Sequence, residues 1–263
     1  MNIFQAVVLG LVQGLAEFLP ISSSGHLIIF QTLFGLNEPG ITFDVLLHVA
    51  TLIPVFIIFR DEIFELIRNP FQKLTLLLVM ATIPAVVLAL LFGDFVRSLF
   101  TSTTYLAFGF FITGSLLIFA DTRREGERSE KDMGLFDALV IGCMQGIAIA
   151  PAISRSGATI TGALTRNLTR ESAARFSFLM SIPAILGAAV LELKDIVTGD
   201  TVMESLEIVP MLCGFIVAAL SGYLAIKFML KLIKACRLRY FSYYVFALGA
   251  FILVDQLFFN MYF

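Results

Sequence analysis

The chain has 263 residues, of which 59% are hydrophobic and only 14% are charged, and its mean hydropathy is +0.94. Soluble domains carry about 25% charged residues, so this composition excludes an ordinary water-soluble protein and indicates one whose solvent is lipid. The formal net charge of −2 gives no reason to expect a nucleic-acid partner.

The chain begins with an apolar segment, about 3–34, that Pro, Gly and Ser interrupt and that carries ionisable residues at the interruption. A second such segment occupies about 135–164, after a charged loop at 121–134 that we interpret as a solvated connector. Each broken segment is predicted to form a re-entrant helical hairpin. Three apolar stretches follow each hairpin, each near the roughly 20 residues that a membrane-spanning helix needs. They are 42–59, 73–92, 104–120, 174–193, 206–230 and 240–259.

The two broken segments resemble each other. Phe4–Gly25 laid on Phe136–Gly157, an offset of 132, matches at 11 of 22 positions. We therefore expect one membrane domain, 1–263, built from two repeats, 1–131 and 132–263. One hairpin plus three spans is an odd number of crossings, so the second repeat is upside down relative to the first. The predicted fold is an all-α integral membrane protein with six transmembrane helices and two re-entrant helical hairpins, arranged as an inverted-topology repeat.

The positions of Lys and Arg predict the orientation. In this topology four loops share one side and hold 15 of the 18 basic residues, whereas the opposite side holds only Arg97 and Lys194. The four loops are 60–73, 121–134, 165–175 and 227–239. Cytoplasmic loops are enriched in Lys and Arg, so we expect these loops to be cytoplasmic and both termini to lie outside. The first hairpin then enters the membrane from outside and the second from the cytoplasm.

The first hairpin carries an acid close to its interruption. Gln13 and Glu17 lie at i and i+4 on one helix face, and Pro20 ends that helix. A carboxylate at membrane depth costs about 2.5–3.5 kcal/mol and therefore indicates a functional site. The alternative for Glu17 is an interfacial or helix-capping acid.

Hydroxyl groups and an imidazole follow at the start of the next helix. The run is Ser22, Ser23, Ser24, Gly25 and His26. Hydroxyls and free N–H groups at a helix start suit an anion, with simple N-capping as the alternative interpretation. His26 is a candidate acid, base or nucleophile for a phosphoryl group, although a lone histidine is usually structural.

The second hairpin matches this run with different chemistry. Its residues are Ser154, Arg155, Ser156, Gly157 and Ala158. Arg155 is the one basic residue well inside an apolar segment and is suited to bidentate phosphate binding, with a buried partner for Glu17 as the alternative. Together the two tips predict a membrane-embedded anion site. Asp44 and His48, at i and i+4 on the first span, either line that cavity or form a satisfied helix pair.

At these residues the sequence resembles the undecaprenyl pyrophosphate phosphatases, also called bacitracin-resistance proteins, over essentially the whole chain. Their signatures are an (E/Q)xxxE helix followed by SS(S/T)GH, and a PGxSRSxxT stretch. The first is matched by Gln13 and Glu17 and by Ser22 to His26, and the second by Pro151, Ser154, Arg155, Ser156 and Thr159. Two departures are visible: Gln13 occupies a site where many members have glutamate, and Ala152 replaces the motif glycine.

The resemblance implies hydrolysis of a lipid diphosphate to the monophosphate. Either Ser23 or His26 attacks, Glu17 orients or deprotonates, and Arg155 stabilises charge on the transferring phosphoryl group. The remaining motif residues are candidates for phosphate binding: Ser22, Ser24, Gly25, Ser154, Ser156 and Thr159. A divalent cation, Mg²⁺ or Ca²⁺, is also implied, with Gln13 and Glu17 as candidate ligands beside the diphosphate oxygens.

The implied partner is a polyprenyl diphosphate lipid, and the implied location is the cell membrane, with the catalytic pocket facing the extracytoplasmic side. The oligomeric state is left open, a homodimer being one option. The main rival is a secondary transporter or polyprenyl-phosphate flippase, because inverted repeats with broken helices are a transporter architecture. A structural scaffold gives no reason to keep charged residues in apolar segments.

Overall fold

The computed structural model describes residues 1–36, 41–100, 103–198, 207–235, 237–259, 261 and 263. Within these ranges the chain is helical and has no β-strand beyond an isolated parallel bridge between Arg128 and Leu168. The helices are α1 (Ile3–Phe18), α2 (Ser23–Leu33), α3 (Ile41–Ile58), α4 (Arg60–Arg68), α5 (Lys73–Phe100), α6 (Thr103–Thr122), α7 (Leu135–Ile147), α8 (Arg155–Thr165), α9 (Arg170–Thr198), α10 (Ile208–Ala235) and α11 (Arg239–Val254). A π-helical turn, Asp255–Phe259, continues α11.

Five helices of the described chain are long and apolar enough to cross a membrane, namely α5, α6, α9, α10 and α11 with its π-helical turn. A sixth crossing results if α3 and α4, which meet at an 89° bend, are one span. The prediction of an all-helical protein with several membrane-capable helices is confirmed. Its outer surface is apolar: Leu90, Leu91 and Phe95 are 70%, 69% and 62% exposed. Such large exposed apolar areas suit contact with lipid.

Two helices differ from the prediction: α5 is longer than predicted, and α4 was not predicted. The predicted span 73–92 ends at Phe92, whose φ of −122° and ψ of 15° break the helix, but α5 resumes and continues to Phe100. The sequence also predicts a loop over 60–73, where the structure has the helix α4. Charged residues give this stretch a low hydropathy, while Phe64 and Ile67 recur at helical spacing and are exposed.

Each broken segment consists of two helices in contact, joined by a short break. In the first, α1 ends beside Pro20, which lacks an N–H and cannot continue the ladder. Ser22 then has a φ of 73° and caps α2. In the second, Ala152 has a φ of 60°, and Ser154 caps α8. Both interruptions therefore fall where the prediction placed them.

The two halves pack against each other reciprocally. α1 packs along α10, whereas α7, its counterpart at the offset of 132, packs along α5. A Cβ at Gly10 would collide with the carbonyl oxygen of Gly214, and one at Gly142 with that of Ala81. Glycine at these two corresponding positions thus permits close helix approach. The pairs α3 with α9 and α6 with α11 also join the halves.

The connector between the halves is largely exposed, as expected of a solvated connector, and it is also anchored to the second half. Asp137, at the start of α7, accepts hydrogen bonds from Arg128 Nη2 at 2.7 Å and from Arg166 Nε at 2.7 Å. The Asp137 side chain is only 5% exposed. The Arg128 backbone N–H also donates to the Asn167 carbonyl oxygen. This cluster fixes the connector to the base of the second broken segment.

Candidate active site

The tips of the two broken segments meet. A Cβ added at Gly25 would lie 3.0 Å from Ala152 Cα, and one added at Gly157 would lie 3.4 Å from Pro20 Cβ. Pro20 corresponds to Ala152 at the offset of 132, and Gly25 corresponds to Gly157, so the contact is reciprocal. The fold therefore brings the candidate residues of both halves to one junction.

Each tip begins its second helix with the same serine cap. Ser22 Oγ accepts the N–H of Gly25 at 3.3 Å, and Ser154 Oγ accepts the N–H of Gly157 at 3.0 Å. A second serine hydroxyl, of Ser24 in one tip and of Ser156 in the other, lies 3.2 Å from the capping oxygen. N-capping is thus a correct interpretation of Ser22 and Ser154. It also places two helix N-termini, which attract anions, at the junction.

Glu17 is the centre of the polar contacts at the junction. Its Oε2 accepts hydrogen bonds from Ser23 Oγ at 2.7 Å and from Gln13 Nε2 at 3.0 Å. Its Oε1 accepts one from Arg155 Nη2 at 2.6 Å. The side chain is 6% exposed, so Glu17 is a buried, paired carboxylate and not an exposed interfacial acid. The structure brings four of the predicted site residues into one network.

Arg155 begins α8 and reaches the first half of the chain. Besides the ion pair with Glu17, its Nη1 donates to the carbonyl oxygen of Ser177 at 3.0 Å. Thr159 supports this position, because its Oγ1 lies 2.7 Å from Ser177 Oγ and donates to the Arg155 carbonyl oxygen. Guanidinium has five N–H donors, so these two contacts leave others for an anion. Both interpretations of Arg155, the partner of Glu17 and an anion-binding group, are compatible with this geometry.

His26 lies in the first turn of α2, close to Ser23, but its hydrogen bonds are not to Glu17 or Arg155. Nδ1 lies 2.7 Å from the carbonyl oxygen of Ser22, and Nε2 lies 2.8 Å from Tyr244 Oη. The rings of His26 and Phe110 are perpendicular, with centroids 5.5 Å apart. Among the described residues, then, His26 is bonded to Ser22 and Tyr244 rather than to the Glu17 network.

His48 contacts the site, and the sequence left its role undecided. Its Nδ1 lies 2.7 Å from the carbonyl oxygen of Asp44, one turn earlier on α3. Its Nε2 lies 3.6 Å from Glu17 Oε2. The Asp44 carboxylate accepts a hydrogen bond from Gln31 at 2.8 Å. Of the two alternatives for this pair, the structure favours His48 as a lining residue that faces the central carboxylate.

Gln13 and Glu17 by themselves do not make a complete ligand set for a divalent cation. The described residues contain no group of three or more His, Cys, Asp or Glu side chains placed to hold a metal. At the junction both Glu17 oxygens are engaged, one of them with Arg155. Gln13 Oε1 is buried without a hydrogen-bond partner and is the one spare oxygen of this pair. A hard cation prefers six or more oxygen ligands, so the expected Mg²⁺ or Ca²⁺ stays a prediction.

Comparison with known proteins decides the family. The family model described as "Bacitracin resistance protein BacA" matches residues 6–251. The chain belongs to the bacitracin resistance protein BacA family. An undecaprenyl-diphosphatase of Carboxydothermus hydrogenoformans is 51% identical over 97% of this chain and 98% of the relative. Undecaprenyl-diphosphatase 3 of Bacillus cereus is 46% identical and the undecaprenyl-diphosphatase of Halothermothrix orenii 44% identical, with the same coverage.

The backbone conformation at Ala152 explains why the BacA family motif has glycine at this position. Ala152 stands where the motif has glycine, and its φ of 60° lies in the left-handed region that favours glycine. A non-glycine residue in this region costs roughly 1–2 kcal/mol. The Ala152 methyl group fills the space between Gly25 and Gly109, because Cβ atoms added at these glycines would lie 3.0 and 2.8 Å from it. Burial of this methyl group offsets part of the backbone strain.

Three polar residues of the site in this BacA family member received no role from the sequence, although one of them, Ser177, lies in a stretch that resembles the family. They are Thr113, Ser177 and Tyr244. Thr113 Oγ1 donates to the Ala152 carbonyl oxygen at 2.8 Å and accepts the Ser154 N–H at 2.9 Å, so it fixes the second tip. The available signal was a polar residue inside an apolar span. That signal does not say which residue of another helix or tip such a side chain contacts, whether it lies 18 positions away, as Thr159 does from Ser177, or 218, as His26 does from Tyr244.

Proposed function

We propose that this chain is an undecaprenyl-diphosphatase, which hydrolyses undecaprenyl diphosphate to undecaprenyl phosphate and inorganic phosphate. The reaction recycles the carrier lipid of cell-wall synthesis and confers resistance to bacitracin. Membership of the BacA family and relatives with this activity in their names support the proposal. The structural observation that carries it is a serine hydroxyl 2.7 Å from a buried carboxylate, which is itself paired with an arginine.

The geometry favours Ser23 over His26 as the nucleophile. Glu17 Oε2 lies within hydrogen-bond reach of Ser23 Oγ and can take its proton as a general base. In the first step Ser23 Oγ bonds to the terminal phosphorus, the bond from phosphorus to the bridging oxygen breaks, and undecaprenyl phosphate leaves. In the second step water attacks the phosphoserine, His26 Nε2 accepts a proton from that water, and Glu17 returns its proton to Ser23. Phosphate then takes up the proton from His26 Nε2 and leaves, which restores the neutral imidazole.

Arg155 stabilises the negative charge that develops on the transferring phosphoryl group. Its free N–H donors reach the phosphate while Nη2 holds Glu17, so one guanidinium keeps the base in position and stabilises the transition state. The helix N-termini at the two tips add N–H groups and hydroxyls. We assign phosphate binding to Ser22, Ser24, Gly25, Ser154, Ser156 and Thr159.

We also propose that the two broken segments are re-entrant hairpins and that the repeats 1–131 and 132–263 have opposite topologies. The reciprocal packing of α1 on α10 and of α7 on α5 supports this arrangement. With 15 basic residues on the cytoplasmic loops, the site opens to the extracytoplasmic side of the cell membrane. Alkaline phosphatase fused after the last residue is expected to be active, since this enzyme folds outside the cytoplasm. If this fusion is inactive, and a fusion after residue 131, in a loop predicted to be cytoplasmic, is active, then the orientation is the opposite of the one proposed.

The test of the activity is phosphate release by the purified protein in detergent, with undecaprenyl or farnesyl diphosphate as substrate. Ser23→Ala, His26→Ala and Arg155→Ala are each expected to lose most of the release. Ser115→Ala is the matched control, because this exposed hydroxyl donates to the Phe111 carbonyl oxygen of its own helix and has no other hydrogen bond within the described residues. Release that survives Ser23→Ala at the parent rate would contradict the proposed nucleophile.

A polyprenyl-phosphate flippase is the second candidate, because the reciprocal packing of two halves is also found in secondary transporters. A transporter needs a bound anion but no nucleophile. Reconstituted in vesicles, a flippase moves a labelled polyprenyl phosphate across the bilayer and releases no inorganic phosphate. Under that outcome Ser23→Ala would retain transport, whereas Arg155→Ala would lose it.

A further inference from the structure

The second half of the chain holds His26 through Tyr244, a residue of α11. The His26 Nδ1 atom lies 2.7 Å from the Ser22 carbonyl oxygen, and Nε2 lies 2.8 Å from the Tyr244 hydroxyl oxygen. A carbonyl oxygen only accepts hydrogen bonds, so Nδ1 carries a hydrogen. The state of Nε2 then depends on whether the ring is neutral or charged.

The neutral ring fits its surroundings. His26 is 5% exposed, and none of the described carboxylates hydrogen-bonds to it. A buried, unpaired imidazolium would be strongly disfavoured. Nε2 therefore has a lone pair, and the Tyr244 O–H donates to it. The His26 and Tyr244 rings are nearly parallel, at 17° with centroids 5.7 Å apart, and the Phe110 ring is perpendicular to the imidazole. The imidazole is thus fixed in position by contacts from α6 and α11.

We infer that Tyr244 is a positioning residue of the reaction. Its hydroxyl holds His26 as the Nδ1–H tautomer and keeps the basic Nε2 at the edge of the junction. This inference rests on the proposed function, in which His26 Nε2 accepts a proton from the attacking water. Tyr244 is 48% exposed, so its hydroxyl can move from Nε2 to an arriving phosphate oxygen, which leaves the Nε2 lone pair free for the attacking water. The second half then contributes Tyr244 to the site in addition to Arg155 and its phosphate-binding residues.

The kinetic test compares two neighbouring tyrosines on α11. Tyr244→Phe keeps the ring that stacks on His26 and removes only the hydroxyl. We expect kcat to fall roughly three- to tenfold, the value of one hydrogen bond, with KM within twofold of the parent. Tyr243→Phe is the matched control, because Tyr243 is exposed and its ring packs edge-on against Tyr240. An unchanged kcat in Tyr244→Phe, or a change confined to KM, would overturn the inference.

A second readout needs no turnover. The chain has two histidines, so ¹⁵N-histidine labelling in a His48→Gln background leaves His26 as the single imidazole signal. We expect a protonated Nδ1 and an unprotonated Nε2, whose resonance moves in Tyr244→Phe and stays in Tyr243→Phe. An Nε2 resonance that is the same in all three proteins would overturn the assigned contact. If the contact is present but the protein releases no phosphate, the proposed function fails and the positioning of His26 stands by itself.

Discussion

In the proposed enzyme Glu17 is both the general base and the buried ion-pair partner of Arg155. Substitution of Glu17 tests these two roles separately. Glu17→Gln keeps the shape of the side chain but removes its charge and its basicity. The amide oxygen can still accept from Arg155, but the amide NH₂ then faces the NH₂ of Gln13, which now donates to Glu17 Oε2 at 3.0 Å. Whichever way the amide is turned, one donor of the network loses its acceptor.

The structure sets the size of the two effects. The Glu17 and Arg155 side chains are 6% and 15% exposed, so water cannot replace the lost partner. Removal of one member of a buried pair lowers the unfolding free energy by about 3–5 kcal/mol. Loss of a general base lowers kcat by about 10²–10⁴-fold. KM should stay the same or fall, because the guanidinium released from Glu17 is free to bind the diphosphate.

The assay is phosphate release for the kinetics and thermal unfolding in detergent for the stability. Arg155→Gln and the double variant Glu17→Gln/Arg155→Gln complete the cycle, and the double variant should be more stable than the sum of the two losses predicts. Glu65→Gln, an exposed acid on α4, controls for the change of residue type. A Glu17→Gln protein that keeps kcat within threefold, at whatever stability, would refute the general-base role and leave Glu17 as a structural partner.

Three further substitutions test the rest of the site and the fold. Gln13→Glu places a second carboxylate beside Glu17, so phosphate release should become more dependent on Mg²⁺ or Ca²⁺ in an EDTA-buffered titration; an unchanged cation curve contradicts this. Ala152→Gly should change stability by less than about 1 kcal/mol, since relief of the left-handed φ offsets the lost methyl group, whereas Ala152→Val should destabilise strongly. Asp137→Asn should lower the unfolding free energy by about 2–4 kcal/mol, because two arginines lose a buried acceptor. The exposed control Asp61→Asn should cost little, and equal losses in both variants would refute the docking of the connector.

Hydropathy predicted the spans well, because a bilayer requires a run of apolar residues of nearly fixed length. It failed at α4, where the helix is amphipathic and bent 89° from α3, so its mean hydropathy resembles that of a loop. The helix breaks were also predictable, because Pro20 and the serine runs act locally on the backbone. The docked connector was not, because a charged stretch gives no indication of a buried partner such as Asp137.

At the site, the sequence indicated which residues carry chemistry but not which of them touch. Glu17, Ser23 and Arg155 form one network, as their places in the two tips predict. His26, two to four residues from the same hydroxyls, turns instead to Tyr244, which is 218 positions away. Such a contact depends on how α11 packs against the first half, and no local pattern encodes it.

In the proposed two-repeat architecture, the sequence differences between the two tips account for a single site. If both halves had kept an acid at the Glu17 position, two carboxylates would meet at the junction in a medium of low dielectric and repel each other. The second half instead has Ile149 at that position and Arg155 in place of Ser23, so the two tips carry opposite charges. Gln145, the counterpart of Gln13, shows the consequence: it is buried, and neither of its amide atoms has a hydrogen-bond partner in the described part of the chain. Its own half no longer supplies the acid that Gln13 contacts, so the active site depends on contacts between the halves.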